Sequence, residues 1–84
     1  MLLLHGYGAT GVVQNAYFGL EPVVKARGML YVHPDGTKNS VGKQFWNATD
    51  ACCAPPGSDV DDDAYLMAII DQVSAKYTVD PKRI

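Results

Sequence analysis

The sequence of 84 residues has no long hydrophobic run and few charged residues. No apolar run approaches the ~20 residues that a membrane-spanning helix needs, so the sequence predicts no membrane partner. Seven lysines and arginines stand against nine aspartates and glutamates, for a net charge of −2, and no basic stripe is present that would neutralise phosphates. These absences argue against membrane and nucleic-acid partners, and the apolar content of 48% is that of an ordinary soluble protein.

Cysteine is also scarce, and the two that are present, Cys52 and Cys53, are neighbours. They lack the x-x spacing of metal-binding or thioredoxin-like pairs, and no histidine lies near them, so no metal site is predicted. Neighbouring cysteines can close a vicinal disulfide, or each can pair with a cysteine elsewhere. We expect an oxidised, structural role, because nothing nearby in the sequence favours a reactive thiolate.

The chain opens with a short apolar run, Leu2 to Leu4, which stops at a glycine-rich turn, Gly6 to Gly11. Such a run is typical of a buried parallel strand, and the turn after it can present backbone N–H groups to a negatively charged oxygen. In this interpretation the N–H of Tyr7 faces the oxyanion of an acyl-transfer intermediate. His5 is then expected to anchor the turn by hydrogen bonding rather than to act as a base.

The rest of the chain predicts the order β-α-β-loop-α-β. Thr10 or Asn15 caps the first helical turns, and Pro22 suits the first turn of a helix. Arg27-Gly28 ends that helix, and Met29 to His33 forms a second strand, parallel to the first.

A long irregular segment, residues 37–57, precedes the clearest helix. Ser58 and Asp61 are spaced as in a capping box. Apolar side chains then recur at helical spacing and predict one buried face: Tyr65, Leu66, Ile69, Ile70, Val73 and Tyr77. Arg83-Ile84 is expected to open a third strand.

An alternative interpretation of the glycine-rich turn is a nucleotide site. Gly6, Gly8 and Gly11 match G-x-G-x-x-G after a strand, and Asp35 lies at about the distance of a ribose-binding acid. Asp35, however, lies beyond Pro34 in a turn, whereas the dinucleotide fold places its acid at the tip of the second strand.

The acidic run from Asp59 to Asp63 imitates the start of a calcium-binding loop. Its sixth position is Ala64 instead of glycine, and its twelfth is Ile70 instead of a bidentate glutamate. Helix capping therefore explains these carboxylates better than a metal ion, because anions are stabilised near a helix start.

Five motifs, taken in chain order, resemble one enzyme family. They are Leu-Leu-Leu-His-Gly-Tyr-Gly at 2–8, Tyr-Val-His-Pro-Asp-Gly at 31–36, Phe-Trp-Asn-Ala-Thr-Asp-Ala-Cys-Cys at 45–53, Val-Asp-Asp at 60–62, and Tyr77 with Val-Asp-Pro-Lys-Arg-Ile at 79–84. Together they resemble the polyhydroxybutyrate depolymerase-like esterases, a group of α/β-hydrolases that also includes feruloyl and acetyl-xylan esterases.

The resemblance implies a three-layer α/β-hydrolase fold, of which residues 1–84 are the N-terminal portion of a single domain that stops before the nucleophile elbow. It implies a secreted serine esterase that splits polyesters of hydroxyalkanoates or esters of the plant cell wall and needs no cofactor. The Ser, Asp and His of the triad lie outside these residues, so the chain alone is expected to be inactive. A non-catalytic scaffold remnant is a third interpretation.

Carried onto this sequence, the family's oxyanion turn falls on four residues: His5, Gly6, Tyr7 and Gly8. Trp46 and Asn47 are the expected substrate-binding residues, which shape the acyl or alcohol pocket.

Overall fold

The computed structural model describes residues 1–84 and contains three helices and one two-stranded sheet. In chain order the elements are α1 (Gly11–Phe18), α2 (Glu21–Ala26), β1 (Thr37–Lys38), β2 (Gln44–Phe45) and α3 (Asp62–Lys76). None of the three helices combines the length and the apolarity that a membrane span requires.

The two segments predicted as strands before β1 meet in parallel, as expected, but only at one bridge, between Leu2 and Val32. The N–H of Leu3 donates to the carbonyl of Val32 at 2.9 Å, and the N–H of Val32 donates to the carbonyl of Met1 at 3.0 Å. With no third strand beside them, the two segments do not extend this pairing into a sheet.

Two short helices connect the paired segments. Of the two expected caps, Thr10 is the N-cap of α1, where its Oγ1 accepts the N–H of Val13 at 3.2 Å. Gly19 has a φ of 58° and ends α1, because this left-handed conformation is one that glycine adopts at little cost. Pro22 lies in the first turn of α2, and Gly28 follows that helix with a φ of 64°, as the sequence predicts.

A β-hairpin lies inside the segment that was expected to be irregular. β1 and β2 pair antiparallel, with Thr37 opposite Phe45 and Lys38 opposite Gln44. Asn39 stabilises the connecting turn, because its Oδ1 accepts the N–H groups of Val41 and Lys43.

The helix predicted after the acidic run is confirmed as α3, but its cap is Asp61 and not Ser58. The Oδ1 of Asp61 accepts the N–H of Ala64 at 2.9 Å. Ser58 belongs to a separate turn, in which its N–H donates to the carbonyl of Pro55 at 3.0 Å.

The prediction of a buried α3 face is wrong: its apolar residues are half-buried or exposed. Ile69, Ile70 and Val73 line an open groove of about 730 Å³. The third strand expected at Arg83-Ile84 is also absent, because a strand needs a neighbouring strand and none pairs with these residues. Arg83 instead closes a turn, in which its N–H donates to the Asp80 carbonyl.

Burial is concentrated near the glycine-rich turn. Seven residues are buried: His5, Gly11, Val24, Pro34, Gln44, Phe45 and Asp62. Val24 and Phe45 are the only large apolar side chains among them, so the best-packed part of the chain is a largely polar cluster and not an apolar core.

Replacing Gly11 by alanine is expected to lower the free energy of unfolding by about 1–3 kcal/mol, the usual cost of overpacking. An ideal Cβ at Gly11 would overlap the carbonyl oxygen of His33. Alanine forms helices better than glycine by about 1 kcal/mol, so a net loss of stability can come only from that overlap. Urea denaturation followed by circular dichroism measures the effect.

The matched control is Gly6→Ala, because a Cβ at Gly6 would meet nothing within 4 Å and the residue does not need a positive φ. A Gly11→Ala chain with a denaturation midpoint at or above that of the wild type would contradict the prediction.

Candidate functional site

The segment from Gly6 to Ala9 forms a tight turn closed by the Ala9 N–H, which donates to the Gly6 carbonyl at 3.0 Å. Gly8 is the third residue of the turn and has a φ of 76°, the positive value that a type II turn requires at this position. The backbone of the turn is therefore fixed both by a hydrogen bond and by the positive φ that glycine allows at Gly8.

Three of the four N–H groups in the turn have partners inside the chain. The Gly6 N–H donates to Oε1 of Gln14 at 3.2 Å, the Gly8 N–H donates to the Gln44 carbonyl at 2.8 Å, and the Ala9 N–H closes the turn. The N–H of Tyr7 has no acceptor in the chain. Of the four N–H groups, that of Tyr7 is therefore the one left for an acceptor outside the chain.

His5 is buried, with 3% of its surface exposed, and both of its ring nitrogens are used. Nδ1 lies 2.8 Å from the Gly6 carbonyl oxygen, and Nε2 accepts the N–H of Gly36 at 2.9 Å. The hydrogen bonding expected of His5 is thus present, and it joins the turn to the segment that precedes β1. With both nitrogens engaged, the ring has no free lone pair for use as a base.

Trp46 lies behind the turn and contacts it through His5. Its indole Nε1–H donates to the His5 carbonyl at 2.9 Å. The indole ring also lies between the His5 ring, 5.1 Å away, and the Tyr65 ring of α3, 6.3 Å away and nearly parallel. The polar edge of Trp46 is therefore committed to supporting the turn.

Asn47 joins the segment after β2 to the start of α3. Its backbone N–H donates to Oδ2 of Asp62 at 2.6 Å, and its side-chain Nδ2 donates to the Val60 carbonyl at 2.9 Å. Asp62 is 6% exposed, and its second oxygen, Oδ1, is buried without a hydrogen-bond partner. Like Trp46, Asn47 supports the site from the side of α3.

Asp35 holds the start of α1. Its Oδ1 accepts the N–H of Gly11 at 2.8 Å, and its carbonyl accepts the Tyr65 hydroxyl at 3.1 Å. A carboxylate therefore already lies at the helix start, where the amide groups would otherwise attract a phosphate. This arrangement argues against the nucleotide interpretation, in which Asp35 would contact a ribose.

The Tyr7 side chain is held by the hairpin. Its hydroxyl accepts a hydrogen bond from Nδ2 of Asn39 at 3.0 Å, and Nζ of Lys43 lies 5.8 Å from the ring centroid. The hairpin thus holds the Tyr7 side chain and places the Lys43 ammonium near its ring, whereas the Tyr7 N–H belongs to the turn backbone.

Cys52 and Cys53 form a disulfide with each other, joined across a cis peptide bond, and neither cysteine is free. Of the pairings left open by the sequence, the structure therefore has the vicinal one. Thr49 and Cys52 form an isolated antiparallel bridge within the same loop.

Sequence reasoning missed three residues that build the site. Gln14 and Gln44 accept hydrogen bonds from the turn, and Gly36 donates to His5. The available signal was weak: Gln14 lies on the α1 turn that follows the glycines, and Gly36 ends the His-Pro-Asp-Gly turn, but nothing in the sequence shows that these segments meet.

The structure contains no group of His, Cys, Asp and Glu side chains arranged to hold a metal ion. Comparisons with protein-family models, curated proteins and solved structures found no match to this chain. A functional interpretation therefore depends on the geometry of the turn and on the motifs in the sequence.

Addition of ATP or NAD is expected to leave the amide NMR signals of Gly6, Gly8 and Gly11 unshifted. The reason is that the Asp35 carboxylate occupies the helix start and repels phosphate. Asp35→Asn is the matched control, since it keeps an acceptor oxygen and removes the charge. Saturable shifts of all three glycine signals in the wild-type chain would contradict the prediction and favour a nucleotide-binding β-α-β unit.

Proposed function

We propose that this chain supplies the oxyanion-stabilising turn of a serine carboxylic ester hydrolase, with the N–H of Tyr7 as the donor. One observation carries the proposal: in a turn whose other N–H groups are bonded internally, the Tyr7 N–H is unpaired. Unpaired donors held in a fixed direction are what a developing oxyanion needs, because no reorganisation is then required as charge appears.

The reaction assigned to this turn is acyl transfer. A serine oxygen attacks the ester carbonyl carbon and loses its proton to a histidine base, and the carbonyl π electrons move onto oxygen to give a tetrahedral oxyanion. The Tyr7 N–H donates to this oxygen. Collapse of the adduct expels the alcohol, which takes up the proton, and water releases the acid by the same steps. The serine, the base and its acid partner lie outside these 84 residues.

The magnitude expected of one such donor is large. Removing a single oxyanion donor typically lowers kcat by about 10²–10³, which corresponds to roughly 3 kcal/mol.

His5, Gly6 and Gly8 fix the turn, and the resemblance gives Trp46 and Asn47 a place near the acyl or alcohol group. The indole N–H of Trp46 and the backbone and side-chain N–H groups of Asn47 are bonded to the protein, which leaves the Trp46 ring surface and the Asn47 Oδ1 for contact with a substrate.

The substrate class follows from the motif resemblance. It points to polyesters of hydroxyalkanoates or to feruloyl and acetyl esters of the plant cell wall, to an enzyme secreted from the cell, and to catalysis without a cofactor. The three-layer α/β-hydrolase fold is part of the same proposal. The parallel bridge between Leu2 and Val32 and the helices beside it are compatible with the edge of such a sheet.

A tetrahedral anion is expected to bind at Tyr7. In titrations with monoethyl methylphosphonate, a monoanion that has the shape of the tetrahedral adduct, the Tyr7 amide proton should shift downfield and saturate. The Gly6 and Gly8 amides should move less, because they already donate to Gln14 and Gln44. Amide NMR spectra of the labelled chain measure all three signals.

Two variants serve as controls for this titration. Tyr7→Phe removes the hydroxyl but keeps the N–H, and should bind the probe like the wild type. A chain made by chemical ligation with an ester in place of the Gly6–Tyr7 amide removes only the N–H, and should lose the binding. Equal binding by the wild type and the ester analogue would contradict the proposal.

The proposal also makes a prediction about the gene. The reading frame is expected to continue past Ile84 and to encode Gly-x-Ser-x-Gly within about 15 residues, the strand-turn-helix context of a nucleophile elbow. The complete product should hydrolyse p-nitrophenyl acetate, and replacement of the motif's serine by alanine should abolish turnover. A stop codon directly after Ile84 would contradict the proposal and favour a scaffold remnant.

A further inference from the structure

The direction of the Tyr7 N–H is set by the peptide unit that it shares with the Gly6 carbonyl. The only cis peptide bond in the chain is between Cys52 and Cys53, so the Gly6–Tyr7 peptide is trans. In a trans peptide the C=O and the N–H point in opposite directions. Whatever holds the Gly6 oxygen therefore also aims the Tyr7 hydrogen.

Two donors hold that oxygen. The Ala9 N–H reaches it at 3.0 Å from within the turn, and Nδ1 of the buried His5 ring lies 2.8 Å from it. The Gly6 and Gly8 N–H groups hold the turn to Gln14 and Gln44, but only the His5 contact acts on the Gly6 oxygen from outside the turn. Because the oxygen faces the His5 ring, the Tyr7 N–H points away from that ring.

This contact requires one tautomer of His5. Gly36 donates its N–H to Nε2, so Nε2 carries a lone pair, and the proton of the neutral ring must then lie on Nδ1. With the proton on Nδ1, the ring donates to the Gly6 carbonyl. In the opposite tautomer, the Nε2–H would face the N–H of Gly36, and the Nδ1 lone pair would face the Gly6 carbonyl oxygen; both contacts would be repulsive.

Gly36 can hold this position because it has no side chain. An ideal Cβ there would overlap the Phe45 carbonyl oxygen and would lie 3.3 Å from Nε2 of His5. The close approach of Gly36 to β2 therefore places its N–H against the imidazole.

We infer that His5 is a positioning residue: the Gly36 N–H fixes its tautomer, and its Nδ1–H in turn aims the Tyr7 N–H away from the ring. The inference rests on the proposed function for the use made of that N–H, but the chain of hydrogen bonds can be tested without any ligand. Hydrogen bonding to the Gly6 oxygen also polarises the shared peptide unit, which strengthens its N–H as a donor.

The first test is the protonation state of the ring in the wild-type chain. Nitrogen NMR of the labelled imidazole is expected to show a protonated Nδ1 and an unprotonated Nε2, with a scalar coupling across the hydrogen bond from the Gly36 nitrogen to Nε2. A ring protonated on Nε2, or one that exchanges freely between tautomers, would overturn the inference.

The second test uses two variants, each of which keeps one half of the imidazole's hydrogen bonding. His5→Asn places an amide N–H near the position of Nδ1 and loses the acceptor for Gly36. His5→Gln places an amide oxygen near the position of Nε2 and loses the donor to Gly6. Residual dipolar couplings report the direction of the Tyr7 N–H, with the amides of α3 as the reference for folding.

We expect His5→Asn to keep the wild-type coupling at Tyr7 and His5→Gln to lose it, while both keep the couplings of α3. A Tyr7 coupling retained in His5→Gln and lost in His5→Asn would overturn the inference. Loss of the α3 couplings in both variants would also overturn it, because His5 would then support the whole fold and not one peptide unit.

These outcomes are separate from those of the phosphonate titration. A fixed tautomer and an oriented Tyr7 N–H in a chain that binds no tetrahedral anion would uphold the positioning role and reject the esterase proposal. Anion binding at Tyr7 in a chain with the opposite tautomer would support the esterase proposal and reject the positioning role.

Discussion

The structure depends on one buried imidazole that joins two turns distant in sequence. His5 follows the first apolar run, and Gly36 lies 31 residues later, yet the hydrogen bond between them is 2.9 Å long. Around this contact lie most of the buried residues, and three of the seven are polar or charged side chains. The imidazole has a partner on both ring nitrogens, whereas Gln44 and Asp62 each keep one buried side-chain oxygen without a partner. The two hydrogen bonds of the His5 ring therefore determine how the two turns meet.

Other surfaces of the molecule are apolar and uncovered. The α3 face borders an open groove, and large apolar side chains there and on α1 remain exposed, including Val12 at 68% and Tyr17 at 82%. A chain of this length buries a modest share of its surface, so each uncovered apolar face removes much of the available hydrophobic stabilisation. The geometry of the turn is thus maintained by directional hydrogen bonds more than by an apolar core.

The sequence predicted those features that depend on local chemistry. The Thr10 cap, the glycine after α2 and the existence of α3 each follow from residues within one or two helical turns. Features that depend on distant contacts were missed or wrong. The hairpin relies on Asn39, which accepts two backbone N–H groups. Burial of the α3 face would need a covering layer, and the spacing of apolar residues does not reveal whether such a layer exists. At the site, the sequence identified the turn and His5, but the glutamine and glycine partners become visible only once the segments meet in space.

The glycine-rich turn has one N–H without an internal partner, and this number matters for the proposed chemistry. An α/β-hydrolase oxyanion hole combines an N–H from the turn after an early strand with the N–H of the residue that follows the nucleophile. Of the N–H groups from Gly6 to Ala9, only that of Tyr7 is unpaired, and the others are bonded to Gln14, Gln44 and the turn itself. The internal bonds therefore leave the turn with a single N–H that is available to an external acceptor. In the proposed esterase, the second donor would come from the segment that brings the serine, so that one segment would complete both the oxyanion site and the attack on the ester.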